Sequence, residues 1–334
     1  MQTAVELTNV SKSFRVRRAA RRGVAARVRD LFRPRIDTVV AVDGLSFSIA
    51  PGERVAFIGP NGAGKSTTLK VLAGILQPDA GDVRVCGLVP SRQRRQLAFQ
   101  IGTVFGQRSQ LWYHLPARDT FELLGRVYAI DRRRHRQRVD TLMSLFGLAA
   151  LIDTPVRQLS LGERMRCELA ASLLHSPRIL FLDEPTIGLD VSAKAVIREL
   201  LRTESERERV TLLLTSHDTG DMERVCARVI VIHRGRLLWD GPIAALRRSY
   251  ITARRVTVWS EAERLELTLP GVRVLSSAAY RTECEIALEV TPLGQLVDAA
   301  LRQAPIRDMA IEDAPLDDVI RALYADAERR SATA

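Results

Sequence analysis

Lysine is scarce in this chain: Lys12, Lys65, Lys70 and Lys194 are the only four among 50 basic residues, so arginine carries nearly all the positive charge. Cysteine is scarce too. Cys86, Cys167, Cys226 and Cys284 lie far apart with no C-x-x-C pair, which fits reduced cytosolic thiols and excludes a disulfide framework or a cysteine zinc site. Aromatic residues make up 5%. No apolar run approaches the roughly 18 residues of a membrane span. The first ten residues lack a basic segment followed by an apolar one, so no secretory signal is expected. No internal repeat is visible. What remains is a chain of 334 residues with 46% hydrophobic content, enough for a packed core in one large domain or two.

The net charge of +11 is concentrated in two runs. Residues 15–35 hold nine Arg against Asp30, and residues 131–138 hold five Arg against Asp131. Together they exceed the total, so the remainder is near neutral and no pervasive basic face points to nucleic acid. Both runs read as a solvated surface in an Arg-rich background, and the first also reads as a contact for a membrane or partner. Val24, Val28, Leu31 and Phe32 would line a short basic amphipathic helix within an Arg-rich insertion at about 15–37.

The chemistry begins at Gly59-Pro60-Asn61-Gly62-Ala63-Gly64-Lys65-Ser66-Thr67, which fits G-x-x-x-x-G-K-[ST]. An apolar strand (residues 54–58) precedes it. A helical pattern follows, with Leu69, Leu72, Ala73 and Leu76 on one face. Such a loop turns backbone N–H groups and a helix N-terminus toward a phosphate. Lys65 would bridge the β- and γ-phosphates and Ser66 would ligate Mg²⁺. A compact ammonium in so arginine-rich a chain argues for chemistry at that position.

Further strands are expected at residues 5–10, 38–42, 45–49, 81–86, 101–105, 179–182, 211–215 and 229–232. Helices are expected over 119–130, 132–146, 162–174, 192–207 and 219–227. Strands alternating with helices imply a largely parallel α/β sheet, with its ligand at the carboxyl ends of the strands. Asp183 and Glu184 end the apolar run 179–182. An acid there suits Mg²⁺ binding, and its neighbour suits a general base for water. Leu159-Ser160-Leu161-Gly162-Glu163 precedes a helix, with Ser160 as a good N-cap and Gly162 exposing backbone N–H groups. From about residue 248 short strands (256–259, 265–269, 272–275, 283–290) and helices (293–301, 316–325) read as a small α+β appendage without a catalytic cluster.

In sequence and order these features resemble the ATPase subunits of ABC transporters, over roughly residues 4–247. The resemblance implies a phosphate-loop NTPase fold: a parallel sheet core, an antiparallel β subdomain and a helical subdomain, then the α+β appendage (248–334), regulatory, dimerising or inert. It implies ATP and Mg²⁺ as cofactors. Residues 59–67 match the Walker A loop, and 179–184 resemble the Walker B strand with Asp183 toward Mg²⁺ and Glu184 as catalytic base. Phe14 falls where the family places an aromatic on adenine. Gln107 looks like the glutamine that senses Mg²⁺ and water. Gly188-Leu189-Asp190 is similar to the D-loop, and His217 resembles the switch histidine on the γ-phosphate. Residues 159–163 resemble the signature LSGGQ, with Leu161 for the second-position glycine and Glu163 for glutamine; Ser160 and Gly162 remain. One loop and one signature imply a head-to-tail dimer, with itself or a related ATPase, on the cytoplasmic side of the membrane beside a separate permease.

The segments 107–116 and 159–166 look like the ABC-2 branch, which mainly exports drugs, lipids or polymers. A drug or small-molecule exporter is the first expectation. A polysaccharide or teichoic-acid exporter, suggested by the basic insertion, is the second. A soluble ABC ATPase acting on ribosomes or DNA is the reading of another class, and no N-K-x-D motif supports a GTPase. Trp112 and Tyr113 are the expected anchors for the permease.

Overall fold

The computed structural model describes residues 3–17, 36–105, 109–216, 218–250, 253–312 and 316–333. The amphipathic helix expected near residues 24–32 lies outside them, and so do Gln107 and His217. The chain divides into two compact units, Met1–Gly241 and Pro242–Ala334; the division expected from sequence lay at 247/248.

The first unit opens with β1 (Val5–Arg17), β2 (Ile36–Ile49) and β3 (Arg54–Ile58), then α1 (Lys65–Leu72), β4 (Ala80–Val85), α2 (Arg94–Ala98) and β5 (Ile101–Phe105). A helical stretch follows: α3 (Ala117–Val127), α4 (Arg132–Phe146) and α5 (Leu161–Leu173). The chain then returns to the sheet with β6 (Ile179–Asp183), α6 (Val191–Glu208), β7 (Thr211–Thr215), α7 (Thr219–Val225), β8 (Arg228–His233) and β9 (Arg236–Pro242).

Six strands form one sheet in the order β5-β6-β7-β3-β8-β9, and the pairings from β5 through β8 are parallel. Of these, β3, β6, β7 and β8 are buried almost end to end, as a sheet covered on both faces requires. Their register decides what meets at the carboxyl edge. Phe57 stands opposite Thr215, Thr215 opposite Asp183, and Asp183 opposite Phe105. A second sheet, β2-β1-β4, is antiparallel. The two strands expected at 38–42 and 45–49 are one strand, β2, whose pairing with β1 shifts register three times. In the helical layer α4 begins at an Asp131 cap. The buried His135 donates from Nε2 to the Phe121 carbonyl of α3 at 3.0 Å, and Gly125 leaves room for its ring.

The second unit contains α8 (Ile243–Tyr250), β10 (Ala253–Ser260), β11 (Val272–Ala278), β12 (Arg281–Ala287), α9 (Leu293–Leu301), β13 (Ile306–Glu312) and α10 (Leu316–Thr333). Its antiparallel sheet runs β11-β12-β10-β13 around Val256, Val258, Cys284 and Ile286. The strand expected at 265–269 is a correction: the segment joins no ladder. Leu265 and Leu267 are buried in the core, as their alternation suggested. The Gln303 side chain takes the place of a strand partner, accepting from Glu266 N–H and donating to Glu266 O, both at 2.8 Å.

Asp79, ahead of β4, ties down β1. It accepts from the Lys12 ammonium (2.6 Å), the Ser13 N–H (2.7 Å) and the Ser13 hydroxyl (2.8 Å). Lys12 first, then Ser13, pull its pKa down to about 2. A depressed carboxylate stabilises the fold above its unfolded pKa near 3.9 and loses that contribution as pH falls through the folded value. Asp79→Asn should therefore lower the denaturation midpoint at pH 7, and its difference from the parent should vanish between about pH 4 and pH 2. Urea melts of both proteins across that range check it.

Candidate functional site

The loop between β3 and α1 is shaped by contacts that admit no side chain. A Cβ on Gly59 would lie 2.7 Å from the Ile232 carbonyl, and one on Gly64 would strike the Ala41 carbonyl of β2. Gly64 also has φ 105°, which glycine alone adopts without strain. As the residue preceding α1, Gly64 supplies no capping side chain, and no acid stands in the first turn. The helices α4, α5 and α6 are capped by Asp131, Ser160 and Asp190. The N–H groups at the start of α1 are thus left for an anion.

Lys65 is 6% exposed. Its ammonium turns back into the loop and donates to the carbonyls of Gly59 and Pro60. Burial lowers its pKa, while the charges of Glu184 and then Asp183 oppose that shift. A cation held by two carbonyls beside the uncapped start of α1 fits a phosphate.

Asp183 and Glu184 share one support. Thr215, fully buried at the end of β7, donates its hydroxyl to Asp183 Oδ1 at 2.7 Å. The Glu184 N–H donates to the Thr215 carbonyl and hydroxyl, both at 3.1 Å. Glu184 sits at φ 56°, a left-handed backbone rare outside glycine and asparagine, and such strain collects at functional positions. Sequence reasoning missed Thr215. Its signal was a hydroxyl ending the apolar strand 212–214.

Ser160 and Glu163 form a complete capping box on α5. The Ser160 hydroxyl accepts from Glu163 N–H at 3.2 Å, and Glu163 Oε2 accepts from Ser160 N–H at 2.9 Å. That last bond leads the causes holding the Glu163 carboxyl below its usual range. Gly162 is needed for packing, since a Cβ there would lie 2.9 Å from Ala193 Cβ of α6. Leu161 leans over Gly188, and Asp190 caps α6 through Ala193 N–H at 2.8 Å. Ser160, Gly162, Glu163, Gly188 and Asp190 line one open depression of about 420 Å³, and no residue of the 59–67 loop lines it.

Phe14 is half-buried on β1, with the Lys12 ammonium 5.7 Å from its ring. Of the described residues flanking Gln107, Phe105 stands beside Asp183, while Ser109 and Gln110 bind the buried Glu168 of α5. Burial raises the Glu168 pKa, and the Ser109 hydrogen bond opposes that most. Glu168 too was missed in the sequence. It joins the segment after Gln107 to the helix that Ser160 caps. Beside His217, Asp218 accepts from Lys194 Nζ at 2.7 Å, and its N–H donates to Ser216 Oγ at 3.0 Å. Trp112 and Tyr113 are 46% and 54% exposed. Among the described residues no helix is long and apolar enough to cross a membrane, and no cluster of three acids, histidines or cysteines is arranged for a metal.

A glycine loop on an uncapped helix, a buried lysine and paired acids at the next strand edge define a phosphate-loop nucleotide-binding protein. The ABC transporter family profile matches residues 42–187. The chain is 33% identical over 218 residues to the ABC transporter ATP-binding protein NatA of Bacillus subtilis (strain 168), covering 65% of this chain and 88% of the relative. It is 34% identical over 297 residues to the daunorubicin resistance ATP-binding protein DrrA3 of Streptomyces coeruleorubidus, covering 86% and 92%. It is 40% identical over 210 residues to the Nod factor export ATP-binding protein I of Paraburkholderia xenovorans (strain LB400), covering 63% and 68%. Among solved structures, an ATP-binding subunit of an ABC transporter superposes with TM-score 0.60 at 23% identity over 74% of this chain and 93% of that one. The ATP-binding cassette MJ0796, a dimer with ADP and Pi in a post-hydrolysis state, gives 0.58 at 25% identity over 71% and 98%. The chain belongs to the ABC transporter ATP-binding family, and it is an ATPase.

Thr215→Val keeps the shape of a buried side chain and removes the hydroxyl beneath both acids. Loss of such a supporting hydrogen bond should lower kcat about 10- to 100-fold and leave ATP binding near the parental value. Steady-state turnover and equilibrium ATP titration measure the two.

Proposed function

We propose that this chain powers an ABC-2 type exporter of drugs, lipids or other small molecules through a separately encoded membrane permease, from the cytoplasmic face. The ATP site is completed by a second copy or by a related ATPase, joined head to tail. The observation carrying this reading is the division of labour on one chain: the loop 59–67 and the depression at Ser160 and Asp190 have no lining residue in common. Each therefore needs its complement from another chain. The dimeric relative MJ0796 and the export and resistance functions in the relatives' names support the same assignment.

The roles are those the family resemblance implies, and the described surroundings of Lys65, Asp183 and Glu184 support theirs. Gly59, Pro60 and Ala63 shape the loop, and N–H groups from Asn61, Gly62 and Gly64 and from the start of α1 at Lys65, Ser66 and Thr67 receive the β- and γ-phosphates, with Lys65 between them. Phe14 stacks on adenine. Ser66, Asp183 and Gln107 are the residues that would hold Mg²⁺, which is general for the family and supplies neutralisation of the phosphate oxygens. Glu184 accepts a proton from the attacking water, and its fixed backbone aims the carboxylate. His217 contacts the γ-phosphate. Ser160, Gly162, Glu163 and Asp190 of the facing chain close the site. Trp112 and Tyr113, exposed beside the Glu168 junction, form the permease contact. Nucleic acid has no place in this reading.

Glu184→Gln keeps the shape and removes the base. ATP binding should persist, turnover should fall about 10²- to 10⁴-fold, and the dimer should accumulate in ATP. Turnover at the parental rate would remove Glu184 from the role.

A further inference from the structure

At the opposite edge of the parallel sheet, the amino ends of the strands, the first unit holds a cavity of about 360 Å³. It opens between the segments leading into β3, β6 and β7 and the turn after β4. The strands between the two edges are five residues long, so the cavity and the phosphate loop are about 16 Å apart along them.

Among the described residues eight that are not glycine have positive φ, and three of those line this one cavity: Cys86 (φ 51°), Ser176 (φ 54°) and Arg209 (φ 54°). Each occupies a position where glycine would be unstrained. Cys86 opens the two-residue turn between Val85 and Leu88, whose first position favours Asn, Asp or Gly. Ser176 follows α5, with its N–H on the Leu173 carbonyl at 3.0 Å. Arg209 is the C-terminal cap of α6. At the equivalent end of α4 the chain uses Gly147. At these three sites side chains are kept despite the backbone strain, and they share a wall.

The charge on that wall is not balanced. Its one carboxylate, Glu208, already faces Arg138 at 3.4 Å and Arg207 at 3.1 Å. Arg138 is in turn bound to Glu204 at 2.8 Å and to the Leu173 carbonyl. Arg178 and Arg209 are exposed and pair with no carboxylate among the described residues. Buried Ala4, Ile179 and Val210 supply apolar surface below them. Arg178 lies near enough to Cys86 for its charge to oppose the burial that raises the thiol pKa.

We propose that this cavity is a second ligand site, separate from the nucleotide site, for a small molecule carrying a phosphate or carboxylate head on a compact apolar body. Arg178 and Arg209 take the head, and the apolar residues take the body. Because Arg138 of α4 forms part of the wall, the occupant touches the junction of α4 with α5 and α6.

Cys86 reports occupancy, since it is half-buried while Cys167, Cys226 and Cys284 are buried. The full chain, its nucleotide site saturated with a non-hydrolysable ATP analogue, is alkylated with iodoacetamide and followed by peptide mass spectrometry. Phenyl phosphate and benzoate are the probes, and phenol is the neutral control. At ten times its dissociation constant a bound probe should slow Cys86 alkylation about tenfold, by mass action. The double variant Arg178→Ala/Arg209→Gly, compared with its own unliganded rate, should lose that protection while ATP-analogue binding is unchanged. Arg209→Gly relaxes a left-handed residue, so folding is not put at risk. Protection by phosphate and not carboxylate, or the reverse, would name the head group. No protection by either anion, equal protection by phenol, or protection that survives in the double variant would overturn the site.

Discussion

Everything at the carboxyl edge depends on the parallel pairing of β6 with β7 and of β7 with β3. That register sets Asp183, Thr215 and Phe57 in one row, so the loop after Phe57 and Ile58 faces two acids that sequence places far away. Without those acids the Lys65 ammonium would be buried against carbonyl dipoles alone, and an uncompensated buried charge is strongly destabilising. The charges of Glu184 and Asp183 counter that penalty. The acids therefore favour the charged form of the lysine in a site prepared for phosphate.

The acids in turn are held by one hydroxyl. Thr215 bonds the Asp183 carboxylate and receives the Glu184 N–H, which keeps Glu184 in its left-handed backbone. The same economy appears on α5. Glu163 departs from the family pattern, yet its carboxylate completes the cap on Ser160 and so orders the helix end it might have disturbed by charge. Glu168, further along that helix, carries the arrangement to Ser109 and Gln110. Hydrogen bonds thus tie the two acids to β7, and the segment at Ser109 and Gln110 to the signature helix, within one chain.

Much of this was legible in the sequence, for physical reasons. The strands of the parallel sheet are buried on both faces and read as unbroken apolar runs; the glycines and Lys65 of the loop are dictated by phosphate geometry; Ser160 precedes a helical period. The order of these features carried the family resemblance. What was not legible depended on distant partners. Thr215 and Glu168 are ordinary residue types whose meaning comes from what the fold sets against them. Leu265 and Leu267 alternated like a strand, but Gln303, not a neighbouring strand, satisfies the backbone between them. β13 is weakly apolar and partly exposed, and only its pairing with β10 reveals it.

The central claim is that the loop of one chain works with the signature of another. Mixing two disabled chains tests it most directly: Lys65→Ala, with a broken loop and an intact signature, and Ser160→Arg, with the reverse. Each alone should be inactive. Their mixture should recover ATPase activity, because half of the sites in each mixed dimer pair an intact loop with an intact signature. Parental activity from Ser160→Arg alone, or no recovery on mixing two folded and ATP-exposed chains, would contradict a shared site.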